Sequence, residues 1–129
     1  MKHKVIIDTN FLLIPGQFKV DIFSEIKRIL DVPFELCVVQ ESIDELNKLV
    51  LAGKVSDRMA AKLGLVLVRQ KHLKTLRSFI LKKNADDAIV SKSDENTFIA
   101  TQDKALRARL REKGAKIIAL RQKKYLVVI

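Results

Sequence analysis

The chain has one cysteine, so neither a disulfide framework nor a cysteine-based zinc site can be built from it. Four glycines and two prolines are too few for a loop-rich or low-complexity protein. Tryptophan is absent, tyrosine occurs once and aromatics total 5%, so a stacking platform for unpaired bases is poorly supplied. No apolar run reaches the roughly 18 residues of a membrane span, and no membrane partner is expected. Before the first carboxylate, Asp8, stand only Val5, Ile6 and Ile7 as a continuous apolar run. An export leader needs about 7–15, so a cytoplasmic location is expected.

What is present is a core-forming composition with an uneven charge. The 129 residues are 48% hydrophobic, and one domain spanning 1–129 is expected. Lys and Arg number 25 against 15 Asp and Glu, a net +10. Residues 1–50 carry six basic and eight acidic side chains, so the whole excess lies in residues 51–129. Such a block implies a polyanionic partner, nucleic acid first.

Apolar patterning alternates between strand and helix. Val5–Ile7 reads as a strand buried on both faces, and Phe34–Val39 as a second. Asp21–Leu30 has helical spacing through Ile22, Ile26 and Ile29. Ser42 opens a helix with Ile43, Leu46, Leu49 and Val50 on one face, stopped by Gly53. Ser56–Arg69 is a further helix, weakened by Gly64. A third strand is placed over Leu76–Leu81 and a short helix over Asp86–Ser91. Thr97–Thr101 and Lys116–Leu120 are strands flanking a helix, Lys104–Lys113, closed by Gly114. Tyr125–Ile129 is an apolar tail. The order predicts an α/β fold, a central parallel sheet between two helical layers.

Ligands of open α/β sheets bind beyond the carboxyl ends of the strands. Asp8 follows the first strand, Glu45 sits in the helix after the second, Asp86 and Asp87 open the short helix, and Asp103 follows the fourth strand. Carboxylates brought together repel, and a cation relieves that repulsion. All-oxygen donors select Mg²⁺ or Mn²⁺. Beside a basic surface, such a site describes metal-assisted phosphodiester hydrolysis. Each acid also has a structural explanation. Ser42-x-x-Glu45 matches a capping box, and Asp86, Asp87 and Asp103 suit helix N-termini. Asp8 is the exception, because the pattern shows no helix after it to cap. Thr9, Asn10, Thr101 and Asp86 are positioned to support the acids or to form turns.

These segments resemble PIN-domain ribonucleases, in particular the small archaeal VapC-like group, itself similar to the PIN nucleases of eukaryotic ribosome assembly. The matching stretches are Val5-Ile6-Ile7-Asp8-Thr9-Asn10-Phe11-Leu12-Leu13, Ser42-Ile43-Asp44-Glu45-Leu46, Ala85-Asp86-Asp87-Ala88-Ile89 and Ala100-Thr101-Gln102-Asp103-Lys104-Ala105-Leu106, with the tail Leu120-Arg121-Gln122-Lys123-Lys124-Tyr125. The resemblance implies a three-layer α/β/α fold and Mg²⁺- or Mn²⁺-dependent cleavage of RNA. It implies Asp8, Glu45, Asp87 and Asp103 as the catalytic acids, with Asp8, Asp87 and Asp103 on the metal. Asp87 is preferred to Asp86 because Asp87-Ala88-Ile89 fits the family pattern. The role implied is a toxin held by an antitoxin or an RNA-processing enzyme. A homodimer is also implied, with Leu65 and Leu67 available to it.

RNA would be held by phosphate contacts. Lys104, Arg107 and Arg111 share a helix face beside Asp103, and Arg121, Lys123 and Lys124 form a second basic cluster. His3 and His72 are expected on the surface and Cys37 in the core. A phosphatase of the haloacid-dehalogenase type would need aspartate at position 10, where Asn10 stands. The competing class is a non-catalytic RNA-binding or ribosome-assembly module that keeps its acids for structure.

Overall fold

The computed structural model describes residues 2–78 and 84–129. In chain order the elements are β1 (His3–Ile7), α1 (Thr9–Leu12), α2 (Ile14–Phe18), α3 (Ile22–Ile29), β2 (Phe34–Val39), α4 (Gln40–Ala52), α5 (Val55–Gln70) and β3 (Lys74–Leu76). Then follow α6 (Ala85–Ser91), β4 (Thr97–Ala100), α7 (Lys104–Glu112), β5 (Lys116–Arg121) and β6 (Tyr125–Val128). The strands form one sheet in the order β3-β2-β1-β4-β5-β6. The first five are mutually parallel and β6 is antiparallel to β5. The α/β expectation is correct.

Alternation along the central strands builds two cores. Val5 and Ile7 face the layer of α1 to α5, with Phe11, Leu12, Ile26 and Leu46. Ile6 faces the other way, with Cys37, Ile99 and Ile117 against Ile89, Leu106 and Leu110 of α6 and α7. Helices on both faces make the three layers. Burial pushes the Cys37 thiol up to about 11, so it behaves as an apolar core residue.

Several boundaries differ from expectation for identifiable reasons. The stretch after β1 folds into two short helices that the pattern does not show, because Phe11-Leu12-Leu13-Ile14 is apolar without a period and buried throughout. Pro15 reads as a breaker but sits in the first turn of α2, where its missing N–H costs nothing. Helix α4 starts at Gln40, two residues before Ser42, so the capping box does not form. Strand β3 lies at Lys74–Leu76; the part of the expected strand over 79–81 falls outside the described residues. The apolar tail pairs with β5 as an edge strand. Its outer edge is covered by Glu25, which accepts the Leu126 N–H at 3.0 Å, and by Arg28, which donates to the Leu126 carbonyl at 3.1 Å. His3 is half-buried against Phe98 at 5.6 Å rather than exposed. Leu65 and Leu67 pack onto the core, leaving Val55, Met59, Leu63 and Val66 as exposed apolar positions of α5.

The glycine that weakens α5 in isolation is required by packing. A Cβ at Gly64 would stand 2.9 Å from the Leu12 carbonyl oxygen, so α5 can lie on α1 only without one. Gly64→Ala gains about 1 kcal/mol of helix propensity. It loses about 1–3 kcal/mol to overpacking against backbone that cannot yield. The expected result is a lower unfolding midpoint in denaturant; a raised midpoint would show that the contact gives way.

Candidate active site

The carboxyl ends of β1 and β4 and the N-terminal ends of α4 and α6 meet at one edge of the sheet. Asp8 occupies the centre. Its backbone N–H donates to the Ala100 carbonyl at 3.0 Å, which locks it to β4. Its side chain is 4% exposed and accepts two hydrogen bonds, from the Thr9 N–H to Oδ1 and from the Thr101 hydroxyl to Oδ2, both 2.8 Å. The first of these makes Asp8 the N-cap of α1. The expectation that no helix follows for it to cap is therefore incorrect; α1 is one turn long and has no sequence period. Capping uses one oxygen and leaves the charge still buried.

Burial is the largest influence on Asp8 and, with Asp86 and Glu45 nearby, raises its pKa to about 6 against the two hydrogen bonds. Burial first, then Asp103 and Glu45, likewise push the Asp86 carboxyl up, while Arg109 draws it down. The acids facing one another are thus Asp8, Glu45, Asp86 and Asp103. Asp87 turns aside: Arg109 holds its carboxylate at 2.9 Å. The structure thus brings Asp86 toward these acids, whereas Asp87, the acid preferred from the family pattern, is paired with Arg109. Successive helical residues diverge by about 100°, and Asn84, the N-cap bonded to the Asp87 N–H, sets the roll of α6.

Hydrogen bonds tie the four segments into one frame. The Thr9 hydroxyl donates to the Ser42 hydroxyl at 2.9 Å, joining α1 to α4, and both are buried. Glu45, one turn beyond Ser42, accepts the Ala85 N–H at 3.3 Å and so meets the start of α6. Thr101 accepts the Asp103 N–H at 3.1 Å while donating to Asp8. Asp103 caps α7 through Oδ1, at 3.0 Å from the Leu106 N–H. Asn10 makes no side-chain hydrogen bond to the described residues and lines the adjoining clefts.

Cations surround the acids. Arg107 is anchored, donating to the Thr101 carbonyl at 3.3 Å and to the Gln102 side chain at 3.3 Å. Burial and the nearby Arg121 and Arg111 draw its guanidinium below its ordinary value. The two basic clusters expected separately thus meet beside Asp103. Lys104, Lys123 and Lys124 are exposed, and Lys123 lies over the Phe18 ring at 5.3 Å. Arg109 and Lys48 went unrecognised in the sequence. Lys48 shares a cleft of about 410 Å³ with Glu45, and its three-residue spacing from Glu45 was a usable signal. Arg109 reaches its partner only through the tertiary fold.

Among the described residues, no three carboxylates stand close enough to form a ready cation cage. The donor set nevertheless fits Mg²⁺ or Mn²⁺, which bind through one or two carboxylates and retain water. The ionised, cation-free site costs stability. Because the folded state binds the Asp8 proton more tightly, this group's contribution falls as pH rises from about 4 through about 6. Relief of that penalty is worth roughly 3 kcal/mol, less about 1 for a lost hydrogen bond. Asp8→Asn is expected to be about 2 kcal/mol more stable than wild type at pH 7 without divalent ions. The advantage should vanish near pH 4. Denaturant melts across that range check it, and equal stabilities at pH 7 would contradict the electrostatic reading.

Comparison with known proteins agrees with this fold. A family model described as a PIN like domain matches residues 5–123. Ribonuclease VapC4 of Methanocaldococcus jannaschii is 31% identical over 125 residues, 95% of this chain and 94% of that protein. A solved structure described as the PIN domain endonuclease Utp24 has a TM-score of 0.78 and 27% identity, covering 97% of this chain and 90% of that chain. This chain belongs to the PIN-like domain family.

Proposed function

We propose that the protein, as one domain over residues 1–129, is a Mg²⁺- or Mn²⁺-dependent endoribonuclease. The observation that carries the reading is Asp8: a buried carboxylate with Asp86 and Glu45 nearby, Asp103 facing Asp86 in turn, and the Arg107, Arg111 and Arg121 group beside Asp103. Its relatives, one a named ribonuclease and one a named endonuclease, support the same class. A module that merely binds RNA gains nothing from a buried acid that lowers its stability at neutral pH.

Asp8 and Asp86 would hold the cation, with Asp103 directly or through water. When bound, that ion lowers the pKa of a water and stabilises charge on the phosphate. Glu45 orients the attacking water and keeps α6 in place through Ala85. Thr101 and Thr9 fix the Asp8 carboxylate, and Asp87 restrains Arg109 beside the cluster. Arg111, Arg121, Lys104, Lys123 and Lys124 bind the RNA backbone, while Arg107 positions the β4–α7 turn. RNA is thus the proposed partner and the cytoplasm the proposed location.

A labelled structured RNA should be cut with Mg²⁺ or Mn²⁺ and spared in EDTA. Asp8→Asn and Asp86→Asn should each lose on the order of a hundredfold in rate. Wild-type rates in Asp8→Asn would overturn the assignment. Arg111→Ala should weaken RNA binding and flatten its salt slope by about 0.7. Growth arrest on expression, abolished by Asp8→Asn and relieved by a co-expressed antitoxin, would identify the toxin role. Cleavage confined to precursor RNA would identify processing.

A further inference from the structure

A second cleft, of about 490 Å³, opens on the other side of Asn10 from Glu45 and Lys48. It lies between α2 and the turn joining β5 to β6. Its polar wall is made of carboxamides, Asn10, Gln17, Gln102 and Gln122, and its apolar surface includes Phe18 and Leu120. No acid lines it, and Lys123 is its one charged residue. A phosphate pocket would present several cations or backbone N–H groups. Three of these carboxamides, Asn10, Gln17 and Gln122, instead offer paired donors and acceptors beside apolar surface, the chemistry that reads the edge of a base.

Two details show that the wall is held in place. Gln102 is fixed as an extension of the sheet, accepting the Leu120 N–H at 2.8 Å and donating to the Leu120 carbonyl at 3.2 Å. Gln122 and Lys123 are both left-handed, at φ 54° and 55°, in a turn closed by the Lys124 N–H to the Arg121 carbonyl at 3.0 Å. Asn-Gly adopts that turn with little strain. Gln-Lys accepts the strain and keeps two side chains at the cleft. Among the described residues, the carboxamides of Asn10, Gln17 and Gln122 have no hydrogen-bond partner of their own, so they are free to engage a ligand.

We infer that this cleft receives one unpaired nucleobase of the RNA, next to the bond that is cut, and that Gln17 and Gln122 select it. The inference rests on the nuclease reading for its placement in the reaction. It gives base specificity to carboxamide hydrogen bonding in a chain whose few aromatics supply little stacking for unpaired bases.

Two measurements test it. The first compares cleavage of RNAs varied at single positions beside the cut site. Wild type should favour one base by about tenfold over the worst. The double variant Gln17→Ala/Gln122→Ala should bring that ratio below about threefold through loss on the preferred RNA. The second titrates isotope-labelled Asp8→Asn protein with AMP, GMP, CMP and UMP while following side-chain amide resonances. One nucleotide should shift the Gln17 and Gln122 amides at several-fold lower concentration than the others. An unchanged preference in the double variant, or nucleotides that leave those amides unmoved, would overturn the proposal. If wild type cuts no RNA, the nuclease reading fails on its own and the amide resonances still decide the pocket.

Discussion

The structure turns on the burial of a single carboxylate. Asp8 ends the central strand, where two layers of helix exclude water, and it is held by the Thr9 amide and the Thr101 hydroxyl. Those two bonds favour the ionised form, yet burial and the facing acids outweigh them and lift the pKa to about 6. At neutral pH the site therefore stores repulsion that a divalent cation is suited to relieve. The pairing of Glu45 with the Ala85 amide, rather than with a cation, has the same sense: the frame positions acids without neutralising them.

The fold supplies that frame economically. Short helices α1 and α2 turn the chain immediately after β1, so Thr9 can reach Ser42 and Asn10 can stand between two clefts. Gly64 lets α5 approach α1, which secures the same turn from behind. On the far side, Gln102 and Arg107 brace the β4–α7 connection against β5, beside Asp103. Acids, hydroxyls and arginines thus share one sheet edge, although they come from four separated segments.

The alternation of strands and helices and the four acidic segments were legible because β1, β2, β4 and β5 are short apolar runs and each acid follows at a chain position near a strand end or helix start. The roll of α6 was not legible. Asp86 and Asp87 are adjacent, and only Asn84 capping and the Arg109 pair, which the tertiary fold makes, turn Asp86 inward. Ser42 matched a capping pattern, but the helix begins earlier and the hydroxyl serves a contact 33 residues away. Helices α1 and α2 left no periodic trace because nearly all their apolar residues are buried. The tail showed its alternation only weakly, with Leu126 fully buried between more exposed neighbours.

The most direct test of the central claim is the proton released when the cation binds. Mn²⁺ is titrated calorimetrically into the protein at pH 6, in buffers of different ionisation enthalpy. With Asp8 half-protonated there, binding should release roughly half a proton more in wild type than in Asp8→Asn. Tight binding with no proton release, or the same release in the variant, would contradict the account.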